Sequence, residues 1–456
     1  MVRLPEPEPN LKHESWTNAL ELSWRPDVAK VIQEVNDKYL HWDKFRFYDV
    51  PPGLTKEQVW AAIQLSRSPP TLNLLPIRFT DKKVNDKIAY WIPPQQQEWL
   101  HILDQKAGGN VGLDSQFGIR DHDDHYLIGS LMEEAIASSQ LEGASTTRKV
   151  AKKILESGRK PRDRSERMIV NNYRAILEIR NLKNVSLTSD LIVHLQTILT
   201  KDTLDDPDHS GRFRRTEDDI VVADTGSDTI LHVPPDAGTV AARIEELCAF
   251  ANDGGKPFIH PVIKAIAIHF AIGYIHPFCD GNGRTARALF YWYMLKKGYW
   301  LFEYLPISRV ILKQPVQYAR AYLYTECSNG DLTYFTHYNL KVIDRAIGEL
   351  HRYLDRKKVE IKEVTAALDN HPDLNFRQIE LLSDAVKHSG SPTSIRMHAR
   401  RFRISYGTAR TDLLDLEAKG FLLQRKLKKR LYFFPHDDLV KKIGKPIKGP
   451  GPVDLF

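Results

Sequence analysis

Cysteine is scarce in this chain, and what there is lies scattered. Three cysteines, Cys248, Cys279 and Cys327, include no CxxC pair. That spacing argues against a disulfide framework and against a structural zinc site, and it suits a reducing compartment. Long apolar runs are also missing. The most apolar stretch, 262–275, is broken by Lys264, His269 and Gly273 and is too short to cross a bilayer. Residues 1–9 lack the apolar core of a signal peptide. The expectation is a cytoplasmic protein without membrane contact. Neither repeats nor low-complexity tracts stand out.

What is present has a globular balance. The 456 residues are 42% hydrophobic and 27% charged, enough for two to four domains with their own cores. The net charge of +7 is unevenly spread: residues 391–430 carry eleven Lys/Arg against three Asp/Glu. The remainder is therefore near neutral, and an acidic partner is expected at the C-terminal part.

Residues 1–110 read as an accessory region rich in Pro and Trp, with short helices over 27–40 and 55–66. From about residue 123 the pattern becomes strongly helical, over 126–140, 146–158, 164–180 and 188–199. Two β-rich stretches, 219–222 and 229–233, flank Asp224-Thr225-Gly226-Ser227-Asp228, as in a hairpin. Helical periodicity returns over 237–250, 261–274 and 284–297 and continues to about 355. The expected divisions are 1–110, a catalytic domain over 111–355, a linker over 356–374, a second unit over 375–436 and a basic tail over 437–456.

The densest chemistry lies in His276-Pro277-Phe278-Cys279-Asp280-Gly281-Asn282-Gly283-Arg284-Thr285-Ala286-Arg287. Pro277 stops one helix, and Gly281-Asn282-Gly283 opens the next. A glycine-rich turn at a helix N-terminus converges backbone N–H groups on an anion. Arg284 and Arg287, three apart, can grip further phosphate oxygens. Asp280 offers a hard oxygen suited to Mg²⁺, and His276 can take a proton near neutral pH. Singly, each element has a bland reading: a common turn, a structural histidine, a solvated helix face. Joined in this order, they describe phosphoryl or nucleotidyl transfer.

The same twelve residues resemble the Fic family signature HPFxDGNGRxxR at every specified position, with Cys279 in the variable slot. The resemblance extends over about 121–350, including Gly211-Arg212-Phe213-Arg214, His232-Val233-Pro234-Pro235 and His260-Pro261. It implies a mainly α fold: a Fic helical core with a β-hairpin flap. It also implies a protein adenylyltransferase that moves AMP from ATP to a Ser, Thr or Tyr hydroxyl of a target protein or of itself. His276 would be the base and Asp280 the Mg²⁺ ligand. Gly281, Asn282 and Gly283 would form the anion hole, with Arg284 and Arg287 on the β- and γ-phosphates. The hairpin would be the flap that pins the target by strand addition. Ser138-Ser139-Gln140-Leu141-Glu142-Gly143 is similar to the family's inhibitory motif. Through it, Glu142 would pair with Arg287 in a bidentate, partly buried contact and hold the enzyme off, with Ser138 as the other inhibitory residue of the motif.

The C-terminal unit reads as helix (394–402), turn (405–407), helix (408–419) and a two-stranded wing (421–434). Ala409, Leu413, Leu414 and Leu416 supply its inner face, and Thr408, Arg410 and Thr411 are free for a major groove. It is similar to a winged-helix DNA-binding domain. Two other readings stay open: removal of AMP by the same site, and a DNA-binding regulator that uses the Fic core as a nucleotide sensor. A homodimer is also left open.

Overall fold

A computed structural model of the chain describes residues 2–11, 13–67, 73–78, 87–108, 124–224, 226–227, 229–252, 258–369, 373–387, 392–427, 430–436 and 438–443. Thr225 and Asp228 of the expected hairpin, Lys428 and Lys429 of the wing, and most of the basic tail lie outside these residues. Two compact units result. One comprises residues 1–110 and 130–346, the other 111–129 and 347–456. The N-terminal accessory region falls within the first unit.

In the first unit, four helices lead: α1 (His13–Ser23), α2 (Pro26–Lys38), α3 (Trp42–Phe45) and α4 (Lys56–Ser66). They close around Trp42, Phe45 and Trp60. An antiparallel hairpin, β1 (Asn73–Arg78) and β2 (Lys87–Tyr90), follows, then α5 (Pro94–Ala107). The hairpin has no counterpart in the sequence reading. Next come α6 (Asp124–Leu141), α7 (Arg148–Ser157), α8 (Arg164–Leu182) and α9 (Ser189–Thr200). Helix α6 stops where Gly143 takes φ +88°, a left-handed conformation that glycine adopts at little cost. Asp163 and Thr188 cap α8 and α9 by accepting from Glu166 N at 2.8 Å and Leu191 N at 3.1 Å.

A short flap follows, β3 (Val222–Ala223) paired with β4 (Ile230–His232). Helix α10 (Val240–Asn252) leads to the central pair, α11 (Pro261–Ile275) and α12 (Asn282–Lys296). Both are buried around nearly their whole circumference, which makes them the middle of the core. Helix α11 is almost wholly apolar, and α12 buries Asn282, Arg284, Thr285 and Arg287 in its first turns. Gly273 lets α14 approach α11: a β-carbon there would lie 2.5 Å from Tyr322 Oη. Helices α13 (Ile307–Leu312), α14 (Pro315–Cys327) and α15 (Thr333–Asp369) complete the order. Helix α15 runs through most of the stretch expected as linker. Its apolar residues continue as far as Val364 and Leu368, which enter a second core.

That second core belongs to α16 (Phe376–Lys387), α17 (Ile395–Phe402), α18 (Tyr406–Ala418), β5 (Leu422–Leu427), β6 (Arg430–Pro435) and α19 (Leu439–Ile443). Leu382, Leu413, Leu416 and Phe433 are buried in it. Ser394 and Ser405 cap α17 and α18 by accepting from Met397 N and Thr408 N. Thr408, Arg410 and Thr411 are exposed, as the helical spacing predicted. The sequence reading missed a buried polar centre. Asp412 accepts from Arg377 Nε at 2.7 Å, Asn375 Nδ2 at 2.9 Å and His398 Nε2 at 3.1 Å.

Candidate active site

The loop between α11 and α12 is fixed by backbone partners. His276 ends α11 in a left-handed conformation, φ 50°, with its N–H on Ile272 O. The Asn282 side chain locks the turn internally. Its Oδ1 accepts from Phe278 N at 2.9 Å and its Nδ2 donates to Phe278 O at 2.7 Å. Phe278 is fully buried and packs on Phe213. Gly281 has φ +86°, and a β-carbon there would sit 2.8 Å from Thr200 Cγ2, so both conformation and space call for glycine.

Two residues outside the signature hold the loop from behind. Arg214 donates from Nε to His276 O at 2.8 Å, from its backbone N to Pro277 O at 2.8 Å, and from Nη2 to Ile275 O and Pro235 O. Gln196, fully buried on α9, donates to Asp280 O at 3.3 Å and accepts from Gly211 N at 3.1 Å. Neither was expected at the site. A lone polar residue on the apolar face of α9 was the legible signal for Gln196. Arg214 had only its place in Gly211-Arg212-Phe213-Arg214.

The reactive groups follow from this frame. His276 Nδ1 lies 3.2 Å from Gly273 O, so that nitrogen carries the proton and Nε2 is left as the acceptor. Burial pushes the imidazole down to about 4, so it is neutral at physiological pH. Asp280 Oδ1 accepts from Gly281 N at 2.5 Å and faces Arg284 Nη2 at 3.3 Å. Among the described residues its Oδ2 faces the exposed Arg164 at 3.9 Å, and the side chain is 37% exposed. One accessible carboxylate oxygen beside a glycine-rich turn fits Mg²⁺, which takes one or two carboxylates plus phosphate oxygens.

The two arginines diverge. Arg284 is buried and donates to Leu199 O at 2.8 Å as well as facing Asp280. Arg287 donates from Nε to Ser138 Oγ at 2.8 Å, and from Nη2 to Ser138 O and Glu142 Oε1, both at 2.9 Å. The expected bidentate Arg287–Glu142 pair is therefore a divided fork: Ser138 takes two of the three bonds and Glu142 one. Burial raises the Glu142 carboxyl, but Arg287 and Arg284 outweigh it and hold it below the usual range. Glu142 also lies against the turn, where a β-carbon at position 283 would collide with its Oε1. Ser138, Glu142, His276, Asp280, Gly283 and Arg287 thus converge on one place.

Comparison with known proteins decides what this place resembles. Residues 186–294 match the Fic/DOC family. The chain is 35% identical over 120 residues to the protein adenylyltransferase Fic of Drosophila grimshawi and 34% identical over 120 residues to that of Drosophila virilis. In both cases the match covers 25% of this chain and 23% of the relative, so the chain spans under a quarter of these relatives. A Fic family protein from Desulfovibrio desulfuricans shares the fold, with a TM-score of 0.51 over 75% of this chain and 97% of its own, at 18% identity. The Fic-like segment holds the whole of the loop 276–287, whereas Ser138 and Glu142 precede it. Among the described residues no helix is long and apolar enough to cross a membrane.

Proposed function

We propose that this chain is an autoinhibited protein adenylyltransferase, moving AMP from ATP to a Ser, Thr or Tyr hydroxyl of a protein, itself included. The observation that carries the reading is Arg287 held by Ser138 and Glu142 beside a glycine turn, with the proton-accepting Nε2 of His276 at its edge. His276 Nε2 would take the acceptor hydroxyl's proton. The oxygen would bond to the α-phosphorus while the bond to the bridging oxygen breaks, and pyrophosphate would leave with the electron pair. Asn282 and Gly283 would offer backbone N–H groups to the phosphates, whereas the N–H of Gly281, expected beside them, is taken by Asp280 Oδ1. Asn282 adds rigidity through its side chain, and Arg284 fixes Asp280. Asp280 would hold Mg²⁺, whose charge would offset that of the phosphates.

Arg287 would serve the γ-phosphate only after leaving Glu142, which makes that pair the brake. The flap β3–β4, with Ile230 and Val233 exposed, would receive a target segment by strand addition. Incubation with ATP labelled at the α- or the γ-phosphate tests the reaction. Only the α-label is expected to remain on protein, and retention of the γ-label would replace adenylyl transfer with phosphoryl transfer.

A second reading concerns the C-terminal unit, whose order of three helices and an antiparallel hairpin suits a winged helix that binds DNA. Its support is the exposed face Thr408, Arg410 and Thr411 on α18 together with exposed Arg425 and Lys426 on β5. Gel-shift assays across a salt series should show binding that weakens as salt rises. Failure to bind at low salt would exclude DNA as its partner.

A further inference from the structure

Glu134, Ser138 and Glu142 stand four apart along α6 and the turn that ends it, and Gly283, Arg287 and Tyr291 stand four apart on α12. Such spacing puts each trio on one helix face. The faces meet in reverse order. Glu142 lies against Gly283 and bonds Arg287, Ser138 bonds Arg287, and Glu134 bonds Tyr291. Glu134 is 4% exposed and forms the inner end of this ladder.

The Glu134 carboxyl meets Tyr291 Oη at 2.8 Å and, from α13, Ser308 N at 2.8 Å and Ser308 Oγ. Tyr291 Oη also lies 2.7 Å from Leu305 O and accepts from Ile307 N at 2.9 Å. Three oxygen–oxygen contacts thus link Glu134, Ser308, Tyr291 and Leu305, while the two hydroxyls bring two protons. The third contact is filled when Glu134 carries a proton of its own, donating to Tyr291 Oη while Tyr291 donates to Leu305 O. Burial acts in the same direction. It raises the Glu134 carboxyl and outweighs the hydrogen bonds from Ser308 and Tyr291 and the charge of Arg287.

We propose that Glu134, in its un-ionised form, is the positioning residue of the brake: it anchors α6 on α12 and α13 so that Ser138 and Glu142 meet Arg287. A neutral Glu134 leaves the Arg287 charge to Glu142 in the restrained state and to the γ-phosphate afterwards. An ionised one would answer part of that charge. Loss of the Glu134 bonds frees α6 to shift and take Glu142 off Arg287. That Glu142 restrains the enzyme rests on the proposed function, whereas the proton and the anchoring bonds do not.

The test uses the full chain. The infrared difference between wild type and Glu134→Gln at neutral pH should show the carbonyl stretch of a carboxylic acid. That stretch should move to higher frequency in Tyr291→Phe, where its acceptor is gone. Carboxylate bands in its place would overturn the proton. Tyr291→Phe keeps the buried ring, and the amide of Glu134→Gln cannot both donate to Tyr291 and accept from Ser308 N at one position. Each variant therefore loses part of the anchor. Hydrogen exchange over 130–141 should accelerate in both, and calorimetric affinity for ATP with Mg²⁺ should rise about 3- to 10-fold. Unchanged exchange in Tyr291→Phe would overturn the anchor, whether or not Glu134→Gln folds. Glu142→Gly is the control. If it alone raises ATP affinity, Glu134 does not set the brake. If none of the three raises it while exchange accelerates, the brake falls and the anchor stands.

Discussion

Replacing Glu142 with glycine takes one charge-assisted hydrogen bond from Arg287 and clears the space against Gly283. Ser138 keeps its two bonds to the guanidinium, so Arg287 stays in place but becomes available to an incoming γ-phosphate. A hydrogen bond to a charged group contributes about 1.5–3 kcal/mol, which is about 10- to 150-fold in ATP affinity. Glu142→Gln separates the two parts of the effect. It removes the charge and keeps the obstruction, so its gain should fall well below that of Glu142→Gly. Calorimetric titration of each variant with ATP and Mg²⁺ measures this directly. If Glu142→Gly binds ATP within twofold of the wild type while remaining folded, Glu142 is not a brake on nucleotide binding.

Two further outcomes follow from the buried groups. Arg214→Ala leaves the carbonyls of Ile275, His276 and Pro235 without their donor and should cost about 2–4 kcal/mol of stability, read by urea denaturation, with transfer falling at least tenfold. Unchanged stability would mean the loop is held by other means. Acid should also destabilise the fold. Burial lowers His41 and His276 to about 4 and His269 and His337 to about 3, against about 6.5 in the unfolded chain. Between those values the unfolded state binds more protons, so stability is lost as pH falls from about 6.5 towards 4. Each histidine contributes roughly 2 kcal/mol to the loss at pH 5. Burial raises Glu8, Glu134 and Asp331, which act in the opposite sense and offset part of this loss. A denaturation midpoint that stays flat between pH 7.5 and 5 would refute this.

Much of this architecture was readable from local pattern. Helices α8, α9, α11 and α12 lie within a few residues of their expected limits because apolar periodicity, caps and Pro277 mark them. The loop 276–287 was legible because its chemistry is contiguous. What periodicity could not supply were contacts between distant segments. Arg214 and Gln196 reach the loop from far along the chain, and their role depends on which carbonyls the fold leaves facing them. The division of the Arg287 fork was hidden for the same reason, since Ser138 and Glu142 meet it across 149 and 145 residues. The β1–β2 hairpin was missed where Pro69-Pro70 and a polar connection obscure any alternation. Helix α15 was cut short because its later turns are largely polar outside Val364 and Leu368.

Intact-mass spectrometry of Glu142→Gly incubated with ATP and Mg²⁺, beside the same protein carrying His276→Ala, tests the central claim most directly. A mass gain equal to one AMP per modified hydroxyl is expected in the first protein and none in the second. An equal gain in both would remove His276 as the base. No gain in either, with ATP shown to bind, would contradict adenylyl transfer to the chain itself.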